Sequence, residues 1–186
     1  MTEPKGTVLV VDDDPVNRMM LTHSLTQEGY QTTAAEDGEQ ALEMLERERF
    51  DLVLLDVVMP GVDGFTVLEY IKRHNDLRHL PAIMISGLDD MEGAVRCIEM
   101  GAEDFLPKPF DPVVLRARMN AGLAKKRLHD VEQEHQATLQ AHAAHLEELN
   151  RELLALVAEL QEEGAPKTRV AELERLRKRL LSEWSF

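Results

Sequence analysis

Hydrophobic residues in this chain follow two patterns. As far as Lys108 they come in short continuous runs separated by amphipathic stretches; beyond Leu123 leucines recur at a seven-residue spacing. The runs are TVLVV (Thr7–Val11), a weaker Tyr30–Ala35, LVLL (Leu52–Leu55), PAIMI (Pro81–Ile85) and a short stretch at Glu103–Leu106. Runs of this length suit strands buried on both faces. The stretches between them read as helices with recognisable ends. Asp14-Pro15 is an N-cap followed by proline at the first helical position, and the helix carrying Met19, Met20, Leu21 and Leu25 stops at Gly29. Asp37 with Gln40 and Asp89 with Glu92 resemble capping boxes, and a further helix is expected from Asp63 to His74. Gly101 ends the fourth helix, and Asp111-Pro112 repeats the aspartate–proline start. Strand and helix thus alternate five times, which predicts an α/β fold: a doubly wound, mostly parallel sheet with right-handed crossovers.

Past Leu123 the strand signals stop. Neither glycine nor proline occurs from Leu123 to Glu163, and Leu139, Leu146, Leu153 and Leu160 recur every seven residues. Leu128, Leu149 and Leu156 take the complementary position, so the stretch reads as a coiled-coil seam. Gly164-Ala165-Pro166 breaks it, and a short helix rich in Arg and Lys follows. Three parts are expected: a sheet domain over 1–123, a long coiled-coil helix over 124–163, and a turn with a basic helix over 164–186.

A hydrophobic content of 44% supports a real core. The net charge of −14 argues against nucleic-acid backbone or anionic membrane as the main partner. Cys97 is the only cysteine, which excludes an intrachain disulfide and suits a reducing compartment. The start MTEPKG lacks a signal-peptide pattern, and no apolar run is long enough to span a bilayer, so a cytoplasmic protein is expected.

In a doubly wound sheet the carboxyl ends of the strands share one edge, where ligands bind. Here they would deliver Asp12 and Asp13, Asp56, Ser86 and Lys108. Three converging carboxylates stay ionised most readily around a cation, and their hard oxygens suit Mg²⁺. Lys108 adds a fixed positive charge and Ser86 a hydroxyl. A metal, a lysine and a hydroxyl around Asp56 would stabilise charge on a transferring phosphoryl group, with Asp56 as nucleophile.

The motifs VLVVDDDP, LVLLDVVMPGVDGF, IMIS and FLPKPF, in this order, resemble the receiver domain of bacterial two-component response regulators. The resemblance implies a flavodoxin-like five-stranded sheet in order 2-1-3-4-5. It also implies phosphorylation of Asp56 by the phosphohistidine of a sensor histidine kinase or phosphotransfer protein. It implies Mg²⁺ held by Asp13, Asp56 and the Val58 carbonyl, with Asp12 acting through a bound water. Lys108 and Ser86 would contact the phosphoryl group, Lys108-Pro109 would be cis, and Phe105 would be the switch aromatic, lacking the hydroxyl that many members carry there. Such a protein accepts and loses its own phosphoryl group and is not a turnover enzyme.

A rival enzyme reading fits VLVVDDDPV to the opening motif of haloacid-dehalogenase-type phosphatases, with Asp12 as nucleophile and Asp14 as general acid. It leaves Asp56 without a task and lacks the later acidic pair of that family. His129, His135, His142 and His145 read as polar insertions in the seam rather than as phosphoacceptors. For output, the chain reads either as the front of a longer regulator or as a two-part protein whose output is dimerisation. The seam needs cover: a parallel homodimer is favoured over a fold-back of the basic tail, which is too short to cover the whole seam. Gly122 is expected to soften the joint between the sheet domain and the long helix.

Overall fold

The computed structural model describes residues 4–87, 91–162 and 166–182. The Asp89 cap, the Gly164-Ala165 break and Trp184 lie outside the described residues. The elements are β1 (Thr7–Val11), α1 (Pro15–Gln27), β2 (Gln31–Ala35), α2 (Gly38–Arg47), β3 (Leu52–Asp56), α3 (Gly64–Arg73), β4 (Ala82–Ser86), α4 (Met91–Glu99), β5 (Asp104–Pro107), α5 (Pro112–Glu162) and α6 (Lys167–Ser182). The strands form one parallel sheet in the order β2-β1-β3-β4-β5. This is the doubly wound, flavodoxin-like arrangement the sequence predicts.

Alternation along the strands sorts the core into two layers. Leu9, Val11, Val53 and Leu55 face a cluster with Leu45, Leu68, Ile71 and Cys97. Val8, Val10, Leu52 and Leu54 face the opposite cluster with Leu21, Leu25, Leu115, Met119 and Leu123. The β3 residues Leu52 to Leu55 are at most 1% exposed. Each such side chain contributes about 1.5–3 kcal/mol of burial, so β3 is anchored from both sides.

Helix ends follow local chemistry. The Asp14 carboxylate accepts the Val16 amide at 2.7 Å and the Asn17 amide at 3.2 Å. Asp37 accepts the Gln40 amide at 2.8 Å, but the Gln40 side chain returns to the amide of Glu36 rather than to Asp37 itself. Gly29 and Gly101 sit at φ +92 and +90 beyond α1 and α4.

The chain divides into two compact units, Met1–Asp130 and Val131–Phe186. Helix α5 is continuous for 51 residues and contributes to both. Its contacts with the sheet unit continue past Leu123. Lys125 pairs with Glu103 at 2.8 Å, Arg127 donates to the Lys5 carbonyl at 2.5 Å, and the His129 ring stacks on His79 with centroids 3.6 Å apart. Gly122 lies where α5 passes close to the sheet. A Cβ there would stand 3.2 Å from the Pro81 Cβ and 3.5 Å from Leu52, so the residue lets α5 lie close to the sheet, and the helix passes through it unbroken.

In the second unit α6 engages α5 of its own chain. Arg177 Nε donates to Asn150 Oδ1 at 2.9 Å.

Candidate functional site

The parallel strands bring four candidates to one sheet edge. Asp12 follows β1, Asp56 ends β3, Ser86 ends β4 and Lys108 follows β5. Asp12, Asp56 and Ser86 are 1%, 6% and 0% exposed, while Asp13 is exposed. One carboxylate oxygen from each of Asp12, Asp13 and Asp56 lies within 4.8 Å of the others. Lys108 Nζ donates to Asp12 Oδ2 at 2.8 Å and to Asp56 Oδ2 at 2.5 Å. The Lys108-Pro109 peptide is cis.

The loop after β3 holds Asp56 in place. The Val58 amide donates to Asp56 Oδ1 at 3.1 Å, and the Gly64 amide donates to the Val57 carbonyl at 3.0 Å. A Cβ at Gly64 would lie 2.1 Å from the Asp56 carbonyl oxygen. Only glycine allows α3 to start this close to the end of β3. Gly61, at φ +75, supplies the left-handed turn between them.

Asp12 has supporting contacts that the sequence did not reveal. Its Oδ1 accepts the Asp14 amide at 3.0 Å and Asn17 Nδ2 at 3.4 Å, and its main-chain carbonyl accepts Arg18 Nη1 at 2.6 Å. The only available signal was position, since Asn17 and Arg18 fall on the first turn of α1.

Burial pushes the Asp56 carboxyl above its ordinary value. The Lys108 hydrogen bond and charge and the Val58 amide pull it back, and the Asp12 charge adds to the rise. Burial alone would lower Lys108, but the hydrogen bonds and charges of Asp12 and Asp56 together outweigh it and raise the ammonium above an ordinary lysine. One permanent cation therefore faces three carboxylates. The excess negative charge and the all-oxygen donor set fit a hard divalent cation such as Mg²⁺.

The response regulator receiver domain model matches residues 8–120, more than half of the chain. The chain belongs to the response regulator receiver domain family. Response regulator PleD of Caulobacter vibrioides is 45% identical over 114 residues, which cover 61% of this chain and 25% of that protein. Response regulator MprA of Mycobacterium ulcerans is 41% identical over 125 residues, covering 67% of this chain and 53% of that one. The signal receiver domain of a signal transduction histidine kinase from Syntrophus aciditrophicus is 38% identical with a TM-score of 0.60, covering 64% of this chain and 90% of that one. The chain spans a quarter to about half the length of the curated relatives it matches.

Membership in the receiver family does not favour the phosphatase reading. Asp14, its required general acid, is exposed and committed to capping α1. The remaining candidates divide. Phe105 on β5 is half-buried against the cluster that includes Leu68 and Cys97. The Val58 side chain is 58% exposed, so only its backbone faces the site. His135, His142 and His145 are exposed on α5, outside the receiver unit. Among the described residues, no helix is long and apolar enough to cross a membrane.

Proposed function

We propose that this receiver domain takes a phosphoryl group on Asp56 from the phosphohistidine of a sensor histidine kinase or phosphotransfer protein. The observation that carries the reading is the Lys108 ammonium shared between the buried carboxylates of Asp12 and Asp56, with Asp13 beside them. An Asp56 carboxylate oxygen attacks phosphorus, the donor's P–N bond breaks, and the leaving imidazole takes a proton from solvent. Asp13, Asp56 and the Val58 carbonyl would hold Mg²⁺ directly, with Asp12 acting through a bound water; the ion would supply charge neutralisation to the transferring group when bound. Lys108 exchanges its bond to Asp56 for one to a phosphoryl oxygen, and the buried Ser86 hydroxyl donates to another. Withdrawal of Lys108 and movement of Ser86 relay the change to Phe105 on the neighbouring strand.

The output reading is dimerisation through the C-terminal helix. Leu128, Val131 and Leu139 on α5 are 63%, 63% and 54% exposed, an apolar stripe that a second copy would cover. The setting is the cytoplasm, which suits the single, buried Cys97. Neither nucleic acid nor membrane is a direct partner.

The test is incubation with Mg²⁺ and acetyl phosphate, read by intact mass. One added phosphate is expected, abolished by EDTA and restored by Mg²⁺. Asp13→Ala should weaken Mg²⁺ binding in calorimetry. Labelling that persists in EDTA would contradict the metal assignment.

A further inference from the structure

Two covers compete for one face of α5. Leu146, Leu149, Leu153 and Leu160, four of the seven seam leucines, are half-buried, and Val157 is 8% exposed. Across from them Val170, Leu173 and Arg177 of α6 are half-buried, and Arg177 is hydrogen-bonded to Asn150. Leu139 and Leu156 are 54% and 43% exposed. A parallel partner helix would need the same leucines that α6 now covers, so the two arrangements exclude each other.

We propose that α6 is a removable cover: it occupies part of the dimerisation seam and holds the chain monomeric until it is displaced. This inference rests on the dimer reading above and adds its regulation.

Charge selects α6 as the resting occupant. Residues 131–162 carry seven glutamates and a single basic residue, Arg151, apart from histidines. Residues 167–182 carry six Lys and Arg against two glutamates. Two copies of α5 side by side bring acidic helix against acidic helix, whereas α6 brings the opposite sign. Tethering adds to the preference. A segment joined by a few residues competes at an effective concentration on the order of millimolar, well above a second chain at micromolar levels.

Length makes the cover incomplete. The 16 residues of α6 extend for about 24 Å, roughly half of the stretch from Val131 to Glu162. The uncovered half holds Leu139, His135 and His142. A second copy can therefore pair there first and then displace α6 toward Leu160.

Sedimentation equilibrium tests this with three proteins besides the full chain. The first ends at Glu162. The second carries Leu173→Asp, which strips the apolar anchor from α6 and leaves α5 unchanged. The third carries Asn150→Cys and Arg177→Cys in a Cys97→Ala background, bridged within one chain by a short bis-maleimide. The first two should dimerise about a hundredfold more tightly than the full chain, from the lost intramolecular competitor. The bridged protein should stay monomeric where its unbridged form dimerises, and high salt should narrow the gap between the full and shortened chains. A shortened chain that dimerises no more tightly than the full one overturns the cover and leaves the seam reading intact. A bridged chain that dimerises as well as its unbridged form also overturns the cover. A shortened chain that stays monomeric at tens of micromolar instead overturns the dimer reading beneath it.

Discussion

Lys108→Met keeps the apolar stem of the side chain and removes the ammonium that Asp12 and Asp56 share. The carboxylate side chains are 2% and 7% exposed, so water replaces the lost partner poorly. Stranding a buried charge costs about 3–5 kcal/mol, and the lysine's own 23% exposure places this site toward the lower end. Protonation sets a ceiling. A carboxyl with the ordinary value of 3.8 takes up a proton at pH 7 for about 4 kcal/mol, and Asp56 already lies above that value. The expected loss is therefore about 2–4 kcal/mol at pH 7 in EDTA. The pH dependence follows from the direction of the shift. Removing Lys108 raises the folded value of Asp56 further. A group raised in the fold contributes stability that is complete below its unfolded value and is lost as pH rises through the folded one. The deficit of the variant should thus shrink as pH falls from 7 to 5. Amide hydrogen exchange in Val8–Val11 and Leu52–Leu55 reads this directly, because these buried strands open with the whole unit. Corrected for intrinsic rates, exchange at pH 7 should be roughly 30- to 900-fold faster in the variant. Equal protection at pH 7, or a deficit unchanged at pH 5, would show that the Lys108 ammonium does not stabilise the buried carboxylates.

Two further substitutions probe the frame around the site. Gly64→Ala places a Cβ 2.1 Å from the Asp56 carbonyl, so α3 must retreat; a loss of about 2–4 kcal/mol in urea denaturation is expected, with slowed phosphorylation, and wild-type stability would contradict it. Burial, then the charges of His129, Arg78 and Lys72, push His79 below its ordinary 6.5 while Asp130 opposes them, so the unfolded chain binds more protons and stability declines as pH falls through about 6.5. The effect is small because the ring is exposed, and His79→Gln should flatten it in thermal melts taken across that range.

What the sequence revealed and what it hid divide along local and distant contacts. The runs TVLVV, LVLL and PAIMI each became a strand because continuous apolar residues have no exposed face to serve. Asp14-Pro15 and Gly29 acted within a few residues of themselves and were equally legible. The convergence of Asp12, Asp13, Asp56 and Lys108 was readable because parallel topology sends every strand's carboxyl end to one edge. The closeness of Gly64 to Asp56 and of Gly122 to Pro81 was not, because a glycine needed for close approach looks the same in sequence as one that loosens a helix. The direct bond of Lys108 to both carboxylates spans 96 and 52 residues and needed coordinates. The seam showed its periodicity in sequence but not its occupant, since α6 and a second α5 offer similar leucine spacing and differ mainly in charge.

The central claim is that Asp56 alone accepts the phosphoryl group. Phosphorylate the wild type and Asp56→Asn with acetyl phosphate and Mg²⁺, trap any acyl phosphate by borohydride reduction, and map the product by peptide mass spectrometry. A single reduced residue is expected in the peptide containing Leu52–Asp56, and none in the variant. A trapped product at Asp12 or Asp13, or labelling that survives in Asp56→Asn, would contradict it.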